Sequence, residues 1–93
     1  MYDRLGKGME LSEFDKLVDA LFSPGMSFTH RDAVALLGLL GHDLKQGRGS
    51  AVKFVKPGGT KIFYHVPHGG RKKLPEYVVR SIQEIVRREH GHV

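Results

Sequence analysis

Two stretches in which apolar and polar residues alternate, Ser50 to Lys56 and Thr60 to Val66, flank Pro57-Gly58-Gly59. Alternation with a period of two marks a strand with one buried face, and a short connection rich in Pro and Gly permits a tight reversal, so the segment predicts a β-hairpin. Its register follows from which residues must share a face. Pairing Lys56 with Thr60 sets Val52 against Tyr64 and Phe54 against Ile62 on a side that helices can cover. Lys53 then faces Phe63 and Ala51 faces His65 on the other side. A slip of one residue puts His65 opposite Val52 in the core and mixes Lys53 with Tyr64. The first register is the expected one, with Lys53, Lys61 and His65 on an open face.

Helices surround this hairpin in the sequence. Ser12 followed by Asp15 is a helix start, and Phe14, Leu17, Val18 and Leu21 recur at helical spacing until Ser23-Pro24-Gly25. A second start at Thr29-His30-Arg31-Asp32 leads into Val34, Leu36, Leu37, Leu39 and Leu40, a wide apolar face that predicts the most buried helix, closed by a left-handed Gly41. His42 to Gln46 is a weak strand, and Gly47-Arg48-Gly49 links it flexibly to the hairpin. After the hairpin, Pro75 is suited to a first helical position, and Val78, Ile82, Ile85 and Val86 line one side of a closing helix. The glycines fall at turns between strands, so no nucleotide-binding loop is expected. Ser50 opens a strand, which is not the setting of a nucleophile elbow.

Ninety-three residues make one domain with a modest core, burying roughly 60 to 65% of the unfolded surface. The chain has no cysteine, which removes disulfides, thiolate zinc sites and thiol nucleophiles and suits a reducing compartment. Met1 to Glu10 lacks an apolar signal core and the run from Ala33 to Leu40 is too short to cross a bilayer, so a cytoplasmic protein without a membrane partner is expected. The formal net charge of +5 favours a polyanionic partner without choosing between RNA, DNA and an acidic protein.

His65-Val66-Pro67-His68 ends the hairpin beside Arg71, Lys72 and Lys73. Histidine exchanges protons near neutral pH, and clustered cations attract phosphate, so His65 is the candidate proton carrier and His68 the second. The candidate phosphate-binding residues are Arg48, Ser50, Lys53, Lys61, Arg71, Lys72 and Lys73, with the basic ones expected to converge on one end of the hairpin. The alternative for each is a solvated surface residue. No third ligand of fitting spacing accompanies the two histidines, so no metal and no other cofactor is expected. His30 and His42 read as structural or exposed residues, and His90 and His92 as frayed and solvated ones.

In order and spacing, Phe28-Thr29-His30-Arg31-Asp32, the leucine-rich helix ending in Leu40-Gly41, Gly49-Ser50, the Phe54 strand, His65-Val66-Pro67-His68-Gly69-Gly70 and the Leu74 to Val86 helix resemble the HicA toxins of toxin–antitoxin pairs. The resemblance covers about Phe28 to Arg87, which makes residues 1–25 a helical extension and residues 26–93 the HicA-like domain. It implies an α+β fold like a double-stranded RNA-binding domain: a three-stranded antiparallel sheet with helices packed on one face, here plus an extra N-terminal helix. It also implies metal-independent cleavage of messenger RNA and a HicB-type antitoxin that covers the active face. In many members a histidine follows the Gly-Ser pair and is taken as catalytic. Here that position is Ala51, and the expected register sets His65 directly across from it.

Overall fold

A computed structural model of the chain describes residues 12–23, 25, 27–68 and 72–90. Its elements run α1 (Glu13–Phe22), α2 (His30–Leu39), β1 (Asp43–Gln46), β2 (Ala51–Val55), β3 (Ile62–His65) and α3 (Glu76–His90). The strands form an antiparallel sheet in the order β1-β2-β3. This is the expected α+β arrangement, an α-β-β-β-α core preceded by one more helix.

The hairpin register is the expected one: Ala51 pairs with His65, Val52 with Tyr64, Lys53 with Phe63 and Phe54 with Ile62. Val52, Phe54, Ile62 and Tyr64 are buried against Ala33, Leu36 and Leu37 of α2 and Val78, Ile82, Ile85 and Val86 of α3. Fully burying one such side chain contributes about 1.5 to 3 kcal/mol, so this inner layer dominates the stabilising side of the balance. Leu17, Val18 and Leu21 of α1 join the same core. Gln83 Nε2 also donates to the Leu21 carbonyl at 2.9 Å, tying the end of α1 to α3.

The helix ends follow their signals. Ser12 Oγ accepts the Asp15 amide hydrogen in α1, and Thr29 and Asp32 form a reciprocal capping box at α2. At the other end of α2 the Gly41 and His42 amides donate to the Gly38 and Leu37 carbonyls, the paired bonds of a Schellman motif, with Gly41 at φ +93°. Because the His42 amide is committed to the helix, β1 starts at Asp43 and not at His42.

The hairpin strands are also shorter than their pattern. The Thr60 amide donates to Glu89 Oε2 at 2.9 Å, so a side chain replaces a ladder partner there, and β3 begins at Ile62. The reversal is tight: the Gly59 amide donates to the Lys56 carbonyl, with Pro57 and then Gly58 at φ +75° between them, the pattern of a type II turn. Pro75 precedes α3 as its cap, since its carbonyl accepts from Val78 and Val79. Leu39, expected on the apolar face of α2, is 57% exposed. Ala33, Leu36 and Leu37 take that face, with Val34 and Leu40 at its edge.

Candidate functional site

The face of the sheet away from the helices carries the residues that the core pattern excludes. Successive strand residues point to opposite sides, so Ala51, Lys53, Phe63 and His65 lie on this open face, with Asp43 and Lys45 added by the β1–β2 register. Lys45, Lys53 and Phe63 form one cross-strand row. Ala51 and His65 form the next.

His65, the last residue of β3, is exposed. Its Nδ1 lies 3.3 Å from Ser50 Oγ, and the Ser50 carbonyl accepts the Val66 amide at 2.9 Å, which continues the strand pairing one step. The ring of Phe63 meets the His65 ring edge to face, with centroids 5.5 Å apart. One imidazole nitrogen is therefore engaged by a hydroxyl and the other, Nε2, remains for a ligand. Such a group can accept or donate a proton at a substrate placed on the open face. Across the ladder, the methyl group of Ala51 is buried and carries no proton chemistry.

The cations do not converge as expected. Lys61 precedes β3 and His65 ends it, about 13 Å away at ordinary strand rise, with Lys53 between them on the neighbouring strand. Strand geometry spreads them along the face. Arg48 is exposed in the turn before Ser50. Lys72 and Lys73 are exposed beyond β3, and the backbone of Lys73 bridges to Thr29 at the start of α2. Arg71 lies outside the described residues. His68 is exposed in the turn after β3 and holds no hydrogen bond to a described residue.

The other histidines have structural partners. His30 Nδ1 is 2.7 Å from the Tyr64 hydroxyl, burial holding the imidazole below its ordinary pKa and the phenol above its own. Which of the two donates is set by the ring nitrogen that carries the His30 proton. His42 is buried and its Nε2 donates to Glu89 Oε1 at 2.8 Å. His90, expected to be frayed, ends α3 with its ring 4.6 Å from that of Phe14, so packing onto α1 holds it. His92 lies outside the described residues.

Glu89 also accepts from the Thr60 amide and hydroxyl and from Lys56. Burial pushes its carboxyl up, but the Thr60 amide, the His42 imidazole and the Thr60 hydroxyl outweigh that and hold it at about 2. Among the described residues no group of three or more His, Asp or Glu side chains could hold a metal ion. No helix among them is long and apolar enough to cross a membrane. A groove of about 630 Å³ lies between α1 and α3, lined by Leu21, Phe22, Phe28, Leu74 and Val79 among others. Among the described residues no histidine lines it.

Three features of that face are missing from the sequence-derived site: Lys45, Phe63 as an exposed aromatic, and the Ser50 contact to His65. The β1 alternation was too short to place Lys45, and Ser50 showed only once the register brought residue 50 beside residue 66. In comparison with known proteins, the model of a family described as the HicA toxin of bacterial toxin–antitoxin matches residues 30–90. No curated protein and no solved structure matches.

Proposed function

Since the chain belongs to the HicA toxin family of bacterial toxin–antitoxin systems, we propose that it is the toxin of such a pair and acts by cleaving RNA on its open sheet face. The observation that carries this reading is the exposed His65 imidazole, engaged through Nδ1 by Ser50, on a face lined with lysines. The reaction is attack of a ribose 2′-oxygen on the adjacent phosphorus, with release of the 5′-oxygen of the next nucleotide. The bond broken is P–O5′ and the products are a 2′,3′-cyclic phosphate and a 5′-hydroxyl. His65 takes the 2′ proton or supplies the one the 5′-oxygen needs, and His68 is the second candidate for the remaining transfer. Ser50 positions His65.

Arg48, Lys53, Lys61, Arg71, Lys72 and Lys73, together with Lys45, attract the phosphate chain, consistent with a net charge of +5. A HicB-type antitoxin neutralises the toxin by covering the open face, in the cytoplasm. Residues 1–25 serve as an extension to a family domain at 26–93. The test is RNA cleavage by the purified chain in chelator, with His65→Gln as the inactive control.

One observation favours a second reading. Ala51 occupies the position where many family members carry their histidine, so a chain that binds RNA without cutting it follows if no cleavage is found and expression without a partner leaves growth unaffected.

A further inference from the structure

Phe63 is 60% exposed on the open face, on the edge strand β3. An isolated exposed phenyl ring is ordinary; the surroundings of this one are not. Its strand partner is Lys53, whose own partner on β1 is Lys45, so two ammonium groups share its cross-strand row at intervals of about 5 Å. Neither lysine has an ion pair with a described residue. The acidic side chain on the same face, Asp43, lies a row beyond Lys45, away from the His65 end. On its other side, Phe63 packs against the His65 ring at 76°.

We infer that Phe63 is a platform on which one nucleobase of single-stranded RNA stacks, with Lys53 and Lys45 beside it taking the flanking phosphates. The inference rests on the RNA-directed reading above and names the substrate form. A base in a continuous duplex is already stacked on both faces, whereas a single strand presents a π-face in every nucleotide next to a phosphate. An aromatic ring with unpaired cations beside it on an open sheet face offers both contacts together. Lysines alone would suit an acidic peptide equally. The position of Phe63 next to His65 sets the stacked base beside the phosphodiester that the imidazole serves.

The chain has no tryptophan, so Phe63→Trp installs one indole on this face while keeping it aromatic. The full chain carrying that change is titrated with a dye-labelled 2′-O-methyl single strand of mixed sequence, which lacks the free 2′-hydroxyl needed for cleavage. Quenching of the indole in step with the rise in dye anisotropy is the expected result, with weaker quenching by the matching duplex. Phe63→Leu, checked for folding by circular dichroism, should bind the strand about 10-fold more weakly, the scale of losing one base–aromatic stack. Its salt dependence should be unchanged, because no phosphate contact is lost. A strand that binds without quenching, and equally well to Phe63→Leu, overturns the platform and leaves RNA as the substrate. Failure of the wild-type chain to bind any RNA removes the RNA reading and the platform with it. Quenching by an acidic antitoxin but not by RNA makes Phe63 a protein contact and overturns the inference.

Discussion

Ser50 Oγ and His65 Nδ1 meet at 3.3 Å, joining the turn before β2 to the last residue of β3. The two possible directions of that hydrogen bond differ in the tautomer they impose. When Nδ1–H donates to the hydroxyl, Nε2 is a base, and once it takes a proton the imidazolium still donates through Nδ1–H while Nε2–H is an acid; when the hydroxyl donates to Nδ1, the ring is neutral with its proton on Nε2 and is neither. The direction with Nδ1–H donating therefore serves both the base and the acid state, which is what a group that takes and returns a proton needs.

If His65 carries that proton, His65→Gln lowers RNA cleavage by about 100-fold or more and leaves RNA affinity nearly intact. Ser50→Ala should lower kcat by roughly 10-fold with KM unchanged, because orientation and not binding is lost. Single-turnover cleavage together with equilibrium binding measures both. Equal cleavage by His65→Gln and wild type would move the role to His68, and His68→Gln is then the deciding variant.

The hairpin register was legible because Val52, Phe54, Ile62 and Tyr64 fall on one face and Lys53, Lys61 and His65 on the other, so a slip of one residue buries a charge or exposes a core aromatic. Strand ends were less legible. Thr60 leaves the ladder for Glu89, which lies 29 residues away in the chain, and no local pattern announces such a bond. For the same reason His42 gave no sign of its buried partner. The histidine of the candidate site was legible from the face it occupies. Its contact with Ser50 and the spreading of the lysines were not, since both follow from strand geometry and not from proximity in sequence.

The lysines of the open face should carry a large share of the salt dependence of RNA binding. Changing Lys45, Lys53 and Lys61 together to alanine is expected to reduce the slope of log affinity against log salt by about 2, since each phosphate contact to a single strand contributes about 0.7. Paired alanine changes at Lys72 and Lys73 give the comparison. A larger change from that pair than from the open-face set would put the phosphate path beyond the end of β3.

Acid should weaken the fold through Glu89. Its carboxyl sits at about 2 in the folded chain against an ordinary 4.5, so the unfolded chain binds this proton more readily. The stabilisation is therefore fully present above 4.5 and is lost as the pH falls towards 2. At neutral pH, Glu89→Gln should cost about 2 kcal/mol, the worth of hydrogen bonds to a charged group, and lower Tm on the order of 10 °C. The difference between variant and wild type should shrink as the pH is lowered. Thermal unfolding monitored by circular dichroism across that range measures it, and a gap that stays constant with pH would show that packing and not charge is the contribution of Glu89.

Ala51 and His65 are Cα partners on one face, with Cβ atoms about 5 Å apart by ordinary sheet geometry, so side chains from either position reach over the same patch. Gly47 donates its amide hydrogen to the Ala51 carbonyl at 2.8 Å, and a Cβ at position 47 would come within 3.1 Å of the buried Ala51 methyl group, so glycine there keeps this row from closing further over residue 51. The resemblance to the HicA toxins implies a histidine at this position in many members. Introducing Ala51→His into the His65→Gln variant should therefore restore at least about 10-fold of the lost cleavage, because a proton carrier on either side of this pair can serve a phosphate above it. RNA affinity should hardly change, since neither substitution alters a cation. If the double variant folds and binds RNA but cleaves no better than His65→Gln, the scissile phosphate does not lie over the Ala51–His65 pair, and the proton transfer belongs to another part of the face.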